Sequence, residues 1–321
     1  MKVALDLEEL LANNQITQAE YEKLKTLANQ TTTSLAFSLL IGFGVIAVSG
    51  AALALVPTPV TAIIIGALVL VGGIALQKTG LAQWQLLAQI CILVGALMLA
   101  GGILVADNGN PRSFIAIAFI YGISAVFAQS SLLTVLAVLS IGPILGAATG
   151  YSHAMYMVGV QEPLLTVLVF SAMGMGFFWV SQKLPLVPNL SLVYSHLSII
   201  AARACLFMVN MGFWIGSLWG DKINAKSTNP IVISDVTFSV MWALALIGAG
   251  IWAWRENRRW ALNVVAIFGG IHFYTQWFEH LQASAATVLL AGLSALVFAM
   301  MLRHINMLMA QNNTLIEQSK K

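Results

Sequence analysis

Ionisable and strongly polar side chains inside apolar runs are costly, so each asks for a chemical reason. Arg203 is the clearest such residue. It lies inside the run Leu192–Trp219, and Asn210 follows seven residues later on nearly the same helical face. Two readings stand: an arginine that snorkels to the nearer interface, or an anion or substrate contact inside a helix bundle. A second group falls in two connecting loops and their flanks. Glu162, with Tyr151, His153 and Tyr156, precedes the run Leu164–Val180, and His272, Tyr274, Trp277, Glu279 and His280 cluster further on. These residues could converge on one polar pocket, or the aromatics could form an interfacial belt. His153, Met155 and Met157 have the imidazole and thioether types that suit a soft metal. With no cysteine thiolate beside them, the expectation is no metal.

Enzyme motifs give no lead. There is no His-Glu-x-x-His zinc motif, Walker loop or dinucleotide fingerprint. Gly150-Tyr-Ser152-His153 lacks the second glycine of a nucleophile elbow. His196, His272 and His304 fall near run ends, not in a facing pair that could hold haem. The expectation is a protein without catalytic residues or cofactor.

The elements that position these residues follow from composition. The chain has 321 residues, 59% hydrophobic and only 8% charged, where a soluble domain carries about 25% charge. Lipid is the solvent this surface suits. The net charge of +3 does not point to nucleic acid. Cys91 and Cys205 both sit in apolar runs, which argues against a disulfide framework, and no cleavable signal pattern is legible.

Apolar runs occur at Leu35–Val56, Val60–Leu76, Leu86–Ala106, Phe114–Ala128, Leu132–Ala148, Leu164–Val180, Leu192–Trp219, Val236–Trp254, Leu262–Trp277 and Ala283–Leu302. Turn residues punctuate them, as at Pro57-Thr-Pro59 and Asp107-Asn-Gly-Asn-Pro111. The fourth and fifth runs are short and share a soft break at Gln129, so eight to ten spans are compatible with the pattern. Pro143 beside Gly142 could break the fifth. Charge argues for ten. With the N-terminus inside, eleven Lys and Arg residues fall in cytoplasmic segments (Lys2, Lys23, Lys25, Lys78, Lys183, Arg255, Arg258, Arg259, Arg303, Lys320 and Lys321). Only Arg112, Lys222 and Lys226 fall outside, as the positive-inside rule requires. The expected fold is all-α: a polytopic transmembrane bundle of about ten spans over residues 34–303, a cytoplasmic helical hairpin at 1–33 and a cytoplasmic tail at 304–321.

The hairpin is read from two capping boxes, Asp6 with Glu9 and Thr17 with Glu20, around the turn Asn13-Asn-Gln15. Its small leucine seam needs a partner surface, either the bundle itself or another protein. Small residues set the helix packing. Gly66-Ala-Leu-Val-Leu-Val-Gly72-Gly73 is echoed by Gly95-Ala-Leu-Met-Leu-Ala-Gly101-Gly102, which predicts a tight antiparallel pair. Gly212, Gly216 and Gly220 form a small-residue stripe, for internal packing or for a homodimer seam. Trp252, Trp254, Arg255, Arg258, Arg259 and Trp260 form a basic aromatic girdle of the kind that meets lipid headgroups.

Two stretches carry a resemblance. One is Leu7-Glu-Glu-Leu-Leu-Ala-Asn-Asn-Gln-Ile16-Thr17 with Tyr21, Leu24 and Ile41-Gly-Phe-Gly44. The other is Phe273-Tyr-Thr-Gln-Trp-Phe-Glu-His-Leu281 with Ser284 and Leu289-Leu-Ala-Gly292. Together they resemble the bacterial membrane proteins of domain-of-unknown-function family 2157. The resemblance implies a multi-pass protein of the bacterial inner membrane and no defined activity. The functional expectation is a structural or accessory protein acting through partners, its surroundings the lipid bilayer. The alternative is a transporter of a small solute or anion, with Arg203 and Asn210 lining the path.

Overall fold

The computed structural model describes residues 10–11, 15–81, 84–152, 155–183, 192–223 and 231–319. Almost all of them are helical. The order is α1 (Gln18–Leu55), α2 (Pro59–Lys78), α3 (Gln85–Ala106), α4 (Ser113–Ala128), α5 (Ser131–Leu139), β1 (Ala147–Ser152), β2 (Met155–Val160), α6 (Pro163–Lys183), α7 (Leu192–Trp219), β3 (Asp221–Ile223), β4 (Ile231–Ile233), α8 (Asp235–Arg255), α9 (Arg259–Leu281) and α10 (Ala285–Ser319). Among the described residues, six stretches are long and apolar enough to cross a membrane: Pro59–Lys78, Gln85–Ala106, Pro163–Lys183, Val193–Trp219, Asp235–Arg255 and Ala285–His304. The chain is therefore an α-helical protein of membrane type. Helix α9 has 23 residues, but Asn263, His272, Thr275 and Gln276 interrupt its aliphatic side chains.

Helix α1 begins at the predicted capping box. Thr17 Oγ1 accepts from the Glu20 backbone N–H at 3.3 Å, and the Glu20 carboxylate accepts from the Thr17 backbone N–H at 2.8 Å. The helix then runs unbroken for 38 residues, so the expected boundary near residue 33 is not a break in the backbone. No glycine or proline interrupts it before Gly42, and the chain continues directly into its apolar part. Helix α10 likewise continues past Arg303 to Ser319. The first capping box, at Asp6 and Glu9, and the turn at Asn13 and Asn14 lie outside the described residues.

By its contacts the chain divides into two compact units: Met1–Ile144 with Phe177–Ala201, and Leu145–Gly176 with Ala202–Lys321. In the first, α2 and α3 pack as the glycine repeat predicts. A Cβ on Gly66 would stand 2.5 Å from the Leu99 backbone nitrogen, and one on Gly102 would stand 2.9 Å from that of Ile63. On Gly95 it would collide with the Leu70 backbone nitrogen. Gly72 and Gly101, on the other face, have open space. Leu70, Ile92, Ala96, Ile117, Tyr121 and Leu133 join α2, α3, α4 and α5 in one core.

The fifth apolar run does not form one long helix. Helix α5 has nine residues, about 14 Å, against a hydrocarbon core of about 30 Å. A single 3₁₀ turn at Gly142–Leu145 follows, and β1 begins at Ala147. The cause is Pro143, which lacks an N–H and whose ring clashes with the carbonyl four residues earlier. Two small antiparallel hairpins were not foreseen in the sequence. The first pairs Ala147 with Val160 through to Ser152 with Met155, and the second pairs Asp221 with Ile233 and Ile223 with Ile231. They satisfy backbone groups that these connecting segments would otherwise leave unpaired.

In the second unit the stripe on α7 is consumed internally. A Cβ on Gly212 would meet Val167 and the Pro163 carbonyl on α6, and one on Gly216 would meet the Phe238 ring of α8 at 2.5 Å. Gly220 has φ +67° and faces the Ile233 carbonyl at the start of the β3–β4 hairpin. All three glycines meet neighbours within the chain, as the internal-packing reading has it. Helices α7 and α9 run side by side in the same direction. Arg203 meets Trp260, Phe207 meets Phe268 and Trp214 meets Thr275, in ascending order on both helices. Helix α8 between them in sequence must therefore run the opposite way.

Candidate functional site

The polar residues of the second unit gather where α7, α8 and α9 meet. Asn210 is buried. Its Nδ2 donates to the Leu206 carbonyl one turn back at 2.8 Å, and its Oδ1 accepts from Trp242 Nε1 at 2.9 Å. Trp242 on α8 is fully buried, so an indole N–H there requires an acceptor. The His272 ring lies edge-on to Trp242, with centroids 4.8 Å apart and planes at 67°. One turn outward, Trp214 Nε1 donates to Thr275 Oγ1 at 3.1 Å. Asn210 lies nine residues from the end of α7, Trp242 seven from the start of α8 and His272 nine from the end of α9. At 1.5 Å per residue each is about 11–14 Å from the same end of the bundle. Antiparallel neighbours bring these groups to one depth.

This seam is locked more than it is lined. Both functional atoms of Asn210 are engaged, and a buried amide bonding across helices is the usual polar fastening of membrane bundles. Phe238, Trp242, Leu246 and Phe268 pack with Val167 and Phe213 around it. His272 Nδ1, Gln276 Nε2 and Ser239 Oγ are buried and make no hydrogen bond among the described residues. The first two lie one helical turn apart on α9.

The other candidates do not join this cluster. The Arg203 guanidinium stacks on Trp260 at 4.7 Å, in the first turn of α9 and beside Arg258 and Arg259. From Arg203 to the end of α7 is sixteen residues, about 24 Å. From Leu192 to Arg203 is eleven residues, about 17 Å. Arg203 and Asn210 thus take part in different contacts, one with Trp260 and the other with Leu206 and Trp242. Tyr274 faces α10, with its hydroxyl 3.1 Å from both the Ala291 carbonyl and Ser294 Oγ. Glu279 is exposed on the last turn of α9, and Glu162 is exposed immediately before α6. Among the described residues, Tyr274 and Glu279 do not face the same way, because successive residues on one helix turn by about 100°. His153 lies outside the described residues.

Sequence reasoning missed Asp221. It is buried, and its carboxylate accepts from the Leu164 backbone N–H at 2.9 Å, capping the N-terminus of α6 from across the fold. An acid two residues after the end of α7 opposes the dipole of that helix. This mismatch is the sequence signal that Asp221 serves a different helix.

Compared with family models, curated proteins and solved structures, the chain matches none.

Proposed function

We propose that this chain is a multi-pass protein of the bacterial inner membrane that acts as a structural or accessory component through partners, with both termini in the cytoplasm. The observation that carries this reading is how the two polar residues inside α7 are used. Arg203 stacks on Trp260, and both functional atoms of Asn210 are bonded within the bundle. A solute path would need such groups turned toward a passage. The charge asymmetry, eleven basic residues against three, supports the orientation. On this reading α4 and α5 together return the chain to the face it left, which keeps the sidedness of every other loop. The likeness of the two end stretches to family 2157 supports the bacterial setting, and the N-terminal hairpin of residues 1–33 is the proposed docking surface for a protein partner.

The transport reading is tested against this one by Arg203→Lys. A stacked cation is served by either residue with a modest loss of stability, whereas recognition of an anion by the planar guanidinium is not. The proposal expects the lysine variant to insert, melt within a few degrees of the parent in detergent and retain any cellular phenotype. A stable lysine variant with the phenotype abolished would favour transport. For the partner, native gel migration of the full chain should shift downward when residues 2–14 are deleted. Unchanged migration would count against docking at that segment.

A further inference from the structure

Helices α8, α9 and α10 enclose an apolar groove of about 530 Å³, with Leu246, Gly250, Gly269, Phe298 and Met301 along its length and Arg255 at one end. Its volume falls within the range of small-molecule sites, about 300–1,000 Å³. Among the described residues, Arg255 is the single charged one that lines it. Helix α10 is mostly uncovered, with only 6% of its apolar window buried. Two features identify what fills such a space in a bilayer. The first is length. From Leu246 to Arg255 is nine residues, about 14 Å, which is half of a hydrocarbon core of about 30 Å. The groove is one leaflet deep. The second is charge. The groove is apolar along its length, and the end at Arg255 is followed by Arg258 and Arg259, with Glu256 as the only acid in that turn. Trp254 lines the same end, where indoles sit at headgroup level.

We propose that this groove holds one acyl chain of an anionic phospholipid, taken from the leaflet that Arg255 meets, with the phosphate on Arg255. Gly269 makes room for it. A Cβ there would meet nothing within 4 Å, so the missing side chain relieves no clash within the protein and leaves the groove open. The neighbouring Gly270 is equally unobstructed but does not line the groove. The site does not depend on which face of the membrane is cytoplasmic.

The test is native mass spectrometry of the full chain in detergent, titrated separately with phosphatidylglycerol and phosphatidylethanolamine of identical acyl chains. The parent should retain one lipid above background and prefer the anionic one. Arg255→Gln should lower phosphatidylglycerol binding about fivefold, as expected for one basic residue at a membrane surface, and leave phosphatidylethanolamine unchanged. Gly269→Leu should reduce both lipids, and Gly270→Leu neither. Equal melting temperatures for the three variants keep misfolding out of the comparison. If Gly269→Leu binds both lipids as the parent does, the groove is not the site. Equal retention of the two lipids by the parent, or an unchanged preference in Arg255→Gln, would overturn the assignment of the headgroup and with it the proposal.

Discussion

Replacing Asn210 by Leu removes the acceptor that Trp242 Nε1 holds at 2.9 Å. The indole is fully buried, and no water in the bilayer interior can take the acceptor's place. An unsatisfied buried donor costs about 1–3 kcal/mol, while interhelical bonds in membrane proteins average about 0.6 kcal/mol and reach about 1.7. The expected loss for Asn210→Leu is therefore about 1–2 kcal/mol. Trp242→Phe removes the donor and part of the ring that meets His272, at a similar cost. If the bond is the fastening between α7 and α8, the double variant must cost less than the sum of the two by about 1 kcal/mol, because the second change finds the bond already gone. The assay is reversible denaturant unfolding in mixed micelles, followed by circular dichroism. Additivity within about 0.3 kcal/mol, the level seen for independent sites, would refute the claim that Asn210 is engaged in packing.

Three other outcomes follow from the packing and the cap. Gly95→Ala drives a methyl group into the Leu70 backbone and should cost about 1–3 kcal/mol or more, as overpacking does. Gly101→Ala, six residues on and facing open space, should stabilise the helix by about 0.5–1 kcal/mol, and thermal melts of the two variants side by side check both. The third concerns pH. The backbone N–H and then the hydroxyl of Thr17 hold the Glu20 carboxyl below its usual range, so its folded pKa lies under its unfolded one. The stabilisation is therefore present above the unfolded pKa and is lost as pH falls through the folded value. Hydrogen exchange in the first turn of α1 should accelerate only at acidity below the ordinary glutamate range, relative to the intrinsic rate. Glu20→Gln should flatten that dependence.

Much of this fold was legible because the bilayer imposes simple rules. Run lengths marked α2, α3, α6, α7 and α8 to within a few residues, and the seven-residue glycine rhythm identified the α2–α3 pair because only close backbone approach explains it. Where several weak forces compete, the sequence said less. The Gly142-Pro143 break was visible, but its consequence, a nine-residue helix followed by a hairpin, depended on pairing between segments. The stripe at Gly212 could not reveal its partner, since internal packing and dimerisation need the same small residues. Candidate site residues fared similarly. Arg203 was singled out as a charge in an apolar run, whereas the bond from Trp242 to Asn210 joins residues 32 apart and depends on how α7 and α8 pack. Asp221 illustrates the same limit, as its partner Leu164 is 57 residues away.

The sidedness of the loops tests the account most directly. Paired reporters, one active only in the cytoplasm and one only outside it, are fused after Ser227 and after Asn257, on either side of α8. The account predicts opposite outcomes: the fusion at Ser227 reports outside, and the fusion at Asn257 reports cytoplasm. The same compartment at both positions would mean that α8 does not cross the membrane, and it would contradict the arrangement from which the rest is argued.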